Sequence, residues 1–238
     1  MSVAAIALVW AVTSANSAGA TPSAVKRPLV RSQPSADVSI RPNYAVGDAF
    51  IWSNGRIEKV RRIQGDQIVW SGVTGGSWRR SINFVAPIPE WRFEGQIGRR
   101  TVLGDIDALW PLRKGATVKF RVVSESRRQS DPGETWNRSV ALWTCQVGAS
   151  RTVTVEAGSF STSPIVCDRF SNQLMRPIER IVWDFSPDVG HFVRRTTTDY
   201  RDGRQVTVRL IAALHGPSAS EDRLVALARP YRPKSTTE

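Results

Sequence analysis

The chain has 238 residues, of which 41 % are hydrophobic and 23 % charged, with a net charge of +12. That is ample length for a packed core, and beyond its first residues it holds no apolar run of the ~18 residues a membrane helix needs. Only five of the 33 cationic residues are Lys. An arginine-rich field of this sign favours anionic partners, such as nucleic acid, anionic lipid or envelope glycopolymers, against the plain alternative of a basic outer surface spread over many strands.

Residues 2–12 are apolar, and a small, polar stretch follows that ends in Ala18-Gly19-Ala20. A run this short suits the hydrophobic region of a secretory signal, with cleavage after Ala20. No Lys or Arg precedes the run, so the α-amino group is its only positive charge. The expectation is a signal peptide over residues 1–20 and a periplasmic or secreted mature chain without a transmembrane span. Residues 21–40, rich in Ser, Pro and Ala, read as a flexible linker.

Residues 41–90 carry the pattern of a small SH3-like β-meander. Phe50 and Trp52 alternate, Asn54-Gly55 and Gly65-Asp66 mark tight turns, and a Gly-rich stretch at 72–76 separates the last two strands. Pro87 and Pro89 then interrupt the sheet. Residues 90–116 read as a connection. About seven antiparallel strands are expected over 105–215, as a half-barrel or sandwich. They include alternating Val118, Phe120 and Val122, a polar loop at 124–135, and the run of Ile181, Trp183 and Phe185. The tail, 216–238, holds one short helix at 220–228 with Glu221 and Asp222 in its first turn. The expected fold class is mainly β with that single helix.

Cys145 and Cys167 both fall in strand-like segments. An even cysteine count in an exported chain points to a disulfide, which would stabilise by about 3 kcal/mol in the chain-entropy model. Two buried free thiols or a metal pair are the alternatives, and two Cys with no nearby His make a poor zinc site.

Three segments resemble motifs of a known group. Trp110-Pro111-Leu112 with Gly115 opens one strand. Val153-Thr154-Val155 with Ala157-Gly158-Ser159-Phe160 forms a second motif, and Trp183 with Pro187, Val189-Gly190 and Val193 a third. Together, over residues 105–215, they are similar to exported β domains of Gram-negative bacteria, including TapB-like proteins. The resemblance implies an antiparallel, partly open barrel and carries no assigned activity or site residues. Lipoprotein carriers hold acyl chains in broadly similar half-barrels, which is a fold analogy.

No motif asks for a cofactor or metal, and no nucleophile elbow or phosphate-binding loop is present. Of the two His residues, His191 follows a turn near Asp184 and Asp188, and His215 ends the last strand. Asp105 with Asp107 and Asp184 with Asp188 are carboxylate pairs whose spacing in space the sequence does not give. Arg61, Arg62, Trp78, Arg79 and Arg80 interleave basic and aromatic residues, a pattern that binds anions or simply faces water from a sheet. The export pattern argues against nucleic acid, leaving an anionic envelope component or another envelope protein as partner. The leading expectation is therefore a non-catalytic envelope module for binding or structure. The second is a carrier or sensor of an amphipathic or anionic lipid or glycan, in a groove lined by Trp143, Trp183, Phe185 and His191. The third is a carboxylate-based hydrolase.

Overall fold

The computed structural model describes residues 40–72, 76–93, 95–130, 133, 135–171 and 176–232. The expected signal peptide and almost all of the expected linker lie outside these residues. The fold is mainly β, a nearly closed antiparallel barrel with one short C-terminal helix.

The strands are β1 (Ala49–Trp52), β2 (Ile57–Gln64), β3 (Gln67–Ser71), β4 (Ser77–Ser81), β5 (Glu90–Phe93), β6 (Gln96–Leu103) and β7 (Thr117–Arg128). They continue with β8 (Asn137–Val147), β9 (Arg151–Val155), β10 (Gly158–Ser171), β11 (Pro177–Ser186), β12 (His191–Asp199) and β13 (Gln205–Leu214). Twelve of them follow one path, β4-β3-β2-β1-β13-β12-β11-β10-β8-β7-β6-β5, while β9 pairs only with the first half of β10. The meander of β1 to β4 is joined to the rest through β1 and β13, where Phe50 faces Ala213. One aromatic-rich core runs through both regions, from Tyr44 and Phe50 to Trp183 and Leu210.

Local chemistry explains the corners. Gly55, Gly65 and Gly203 sit at positive φ in the tight turns that β1–β2, β2–β3 and β12–β13 require. The segment expected to be a connection, 90–116, instead holds the hairpin β5–β6 and a 3-10 turn at Asp107–Leu109. The polar loop expected at 124–135 is shorter, because β7 continues to Arg128. Cys145 and Cys167 face each other across β8 and β10 with Cα atoms 4.0 Å apart and are disulfide-bonded. The expected helix is present as α1 (Glu221–Ala228), entered through Ser220. Its Leu224 and Ala228 pack on Ala49, Ile51 and Ile57 from outside the barrel, forming a second, smaller cluster.

The two ends of the path, β4 and β5, form no backbone ladder with each other among the described residues. The chain between them crosses this seam. Asn83 pins it by donating to the carbonyl of Ile106 and to Asp107, and by accepting from the amide of Val85. Arg79 on β4 reaches Glu90 on β5 at 3.4 Å on the exposed side.

Candidate functional site

The inward rows of the barrel change character along its axis. Successive residues of a strand alternate between faces, so cross-strand register defines layers of inward side chains. One layer runs Val147, Ile165, Trp183, Arg195, and the next Val118, Cys145, Cys167, Ile181, Thr197. The following layer is Phe120, Trp143, Arg169, Glu179, and beyond it come Val122, Ala141 and Ser171. Side chains thus become smaller or charged in one direction.

Where the large rings run out, a cavity of about 370 Å³ remains, within the size range of small-molecule sites. Among the described residues, four guanidiniums line it, those of Arg80, Arg100, Arg169 and Arg195, against one carboxylate, Glu179. Its apolar wall includes Phe84, Val122, Trp143, Ile181 and Trp183. Glu179 is engaged by Arg169 at 3.0 Å. Arg80 donates through Nη2 to the carbonyl of Phe84 at 2.6 Å, while its Nε and that of Arg195 are buried without an acceptor. The indole N–H groups of Trp143 and Trp183 are in the same condition. Burial lowers the pKa of Arg80, Arg100 and Arg195, with neighbouring arginines adding to the effect and nearby carboxylates opposing it. The cavity therefore holds more positive charge than its own residues balance.

The other end of the interior is filled. His191 is fully buried, with Phe192 at 4.3 Å and Phe50 at 4.5 Å between ring centroids. Its Nδ1 lies 2.6 Å from the Tyr44 hydroxyl. Burial, followed by the charges of Arg80 and Arg195, holds its pKa well below 6.5 and keeps it neutral. Burial likewise pushes the Tyr44 hydroxyl far above its usual pKa of 10. Glu58, also inside, accepts from the Trp52 indole at 3.1 Å and pairs with Arg56 at 3.0 Å.

A wider cleft of about 840 Å³ opens at the seam, lined in part by Arg62, Trp78, Arg79, Trp91, Arg92 and Trp136. Arg99 also borders it, bound to Glu125 and placed 5.0 Å over the Trp136 ring. Glu90 is its one carboxylate among the described residues.

These positions sort the residues singled out in the sequence. Trp143 and Trp183 line the interior cavity, whereas Phe185 and His191 sit in the closed core, among aromatic rings, and are not in that cavity's lining. The basic and aromatic run does not form one patch. Strand alternation sends Arg80 inward and Arg79 outward, and Trp78 and Arg62 join Arg79 at the seam cleft. Arg61 bonds Ser71 at 2.7 Å near α1, apart from the others. Asp184 is occupied by Arg151 and Arg194, and Asp107 by Arg41 and Asn83, while Asp105 accepts the amides of Asp107 and Ala108. Among the described residues, no group of three or more potential metal ligands occurs. Arg100, Arg169, Arg195 and Glu179 were not singled out. Their signal was present in the period of two, since Arg169 follows Cys167 and Arg195 follows Val193 on the inward face.

No protein-family model and no curated protein matches the chain. Among solved structures it is similar to the hypothetical lipoprotein YmcC from Escherichia coli (K12), at 8 % identity and a TM-score of 0.46, covering 69 % of this chain and 82 % of that one. It is also similar to a protein with a YmcC-like fold from Bacteroides fragilis NCTC 9343, at 13 % identity and a TM-score of 0.40, covering 74 % and 99 %.

Proposed function

We propose that this protein is a non-catalytic binding module of the bacterial cell envelope that holds an anionic amphipathic ligand inside its barrel. The observation that carries this reading is the interior cavity, in which four arginines face one carboxylate between apolar and indole walls. A buried, uncompensated cation is costly, and an anion placed among such guanidiniums makes charge-assisted, often bidentate hydrogen bonds that recover the cost. The apolar wall suits the body of the same molecule. Of the carboxylates that hydrolysis would use, Asp184 is tied to two arginines, Asp107 to Arg41 and Asn83, and Asp105 to turn amides, while Asp188 is exposed, which favours binding over chemistry. Envelope location rests on the leader pattern and the disulfide. Kinship with TapB-like exported domains, suggested by the three motifs, belongs to this proposal.

Native mass spectrometry of the protein purified from its own envelope tests the reading. The expected result is a retained anionic adduct of small-molecule size, lost or depleted in Arg169→Ala and Arg195→Leu variants. A clean apo mass, together with no binding of dodecanoate in solution, would sink the proposal.

A further inference from the structure

Adjacent arginines on two strands are divided between the cavity and the seam cleft. On β4, Arg79 faces the cleft and Arg80 the cavity. On β6, Arg99 faces the cleft and Arg100 the cavity. Adjacent residues of a strand point to opposite faces, so each pair straddles the barrel wall. Two contacts join the spaces. Ile88, on the segment crossing the seam, lines both. Trp91, which lines the cleft, carries the guanidinium of Arg100 5.3 Å over its ring. Trp91 can occupy that place because its partner across β5 and β6 is Gly98, where a Cβ would come within 2.2 Å of the indole.

The seam is also the one place on the path where neighbouring strands share no ladder. Arg79 and Glu90 span it at 3.4 Å with both side chains more than half exposed, a weak tie. Arg62 and Arg92 at the cleft form no salt bridge among the described residues. Among the described residues, arginines therefore outnumber carboxylates in the lining of each space, with Ile88 bordering both and Trp91 beside it at the cleft.

We infer that the two spaces are halves of one site, built for an amphipath with two anionic groups separated by an apolar segment. One anion sits among the inner arginines, the apolar segment passes Ile88 and Trp91, and the second anion rests among Arg62, Arg79 and Arg92. This rests on the binding function proposed above and adds to it the ligand class and the route by which that ligand enters, through the β4–β5 seam.

Two probes with the same carbon chain separate the inference from its foundation: dodecanoate, with one carboxylate, and dodecanedioate, with one at each end. Affinities for the full mature chain are measured by calorimetry in moderate salt. A charge-assisted hydrogen-bonded contact at the outer arginines corresponds to about tenfold, so dodecanedioate is expected to bind about tenfold more tightly. In the double variant Arg62→Gln with Arg79→Gln, that advantage disappears while dodecanoate affinity is unchanged. In Arg195→Leu, both probes weaken together. Equal affinity of the two probes for the wild type would overturn the bipartite site and leave the inner site standing. So would a dianion advantage that survives in the outer double variant. Binding of neither probe would overturn the inner site, and the bipartite site with it. The outer variants are exposed surface changes, and an unchanged thermal transition confirms that they fold.

Discussion

The two ends of the barrel interior are built from the same strands, yet one is a core and the other a cavity. Around His191, the inward positions of β1, β3, β11 and β12 carry Phe50, Trp52, Trp70, Phe185 and Phe192, together with Phe84 from the segment crossing the seam. Their rings meet at 4.3–6.5 Å in stacked, tilted and edge-on pairs, the range in which aromatic contacts stabilise beyond area burial. A few residues further along, the inward positions are Arg100, Ser124, Ala141, Arg169 and Arg195, and space is left between them. Polar groups are present at both ends. At the filled end Glu58 answers Trp52 and Arg56, and His191 Nδ1 meets Tyr44, while the Trp70 indole N–H and His191 Nε2 have no partner. At the open end the groups without a partner include charged ones, the guanidinium Nε atoms of Arg80 and Arg195. Aromatic packing is concentrated at one end, and the unfilled space and its arginines at the other.

The contrast predicts opposite responses to substitution. The largest effect is expected at the filled end. Phe50→Ala should lose about 3–5 kcal/mol in urea unfolding, because a ring fully enclosed by other rings leaves a cavity that cannot collapse. A loss under 1 kcal/mol would show that this end is not the tightly packed one.

Next in size is a pH effect. The folded pKa of His191 lies well below 6.5, so above pH 6.5 the residue is neutral in both folded and unfolded chains. As the pH falls below 6.5, the unfolded chain takes up a proton that the folded one refuses. Stability should therefore fall as the pH drops from 6.5 to 5, with a slope from this residue alone that rises towards about 1.4 kcal/mol per pH unit. His191→Gln removes that slope while keeping an acceptor for Tyr44. Unfolding curves at several pH values for both proteins provide the check, and identical slopes would show that His191 is not held neutral.

The smallest change is expected at the open end, with reversed sign. Arg195→Leu should leave stability unchanged or raise it by about 1 kcal/mol, since it replaces a buried, poorly compensated cation with an apolar side chain beside Trp183. A loss above 1 kcal/mol would mean that Arg195 is structural and that the cavity charge is not held for a ligand.

Much of the filled end was legible in the sequence. Large apolar residues recur at every second position in Phe50 with Trp52, and in Trp183 with Phe185 across Asp184, which is the mark of strand structure, while Ile51 between Phe50 and Trp52 is buried on the other face against α1. The open end was not legible for the same reason. A strand that lines a charged cavity puts Arg or Ser at its inward positions, so its pattern reads as a loop. That is why 90–116 was expected to be a connection although β5 and β6 lie there, with Trp91 and Gly98 at the cleft and Arg100 at the cavity. It is also why β7 was expected to stop near Ser124 although it runs to Arg128. Arg79 and Arg80 are neighbours in sequence, and only the pleat of a located strand assigns one to each side of the wall.

By itself the sequence determined the β class, the tight turns, the C-terminal helix and the pairing of the two cysteines. Those features follow from local period, turn chemistry and an even cysteine count, which a linear chain displays. Only the tertiary structure decided that the N-terminal meander closes onto β13, that His191 is a core residue, and that four arginines from β4, β6, β10 and β12 converge on one space. Convergence of that kind depends on register and closure between strands as much as 115 residues apart in the chain (195 − 80), and no local pattern encodes it.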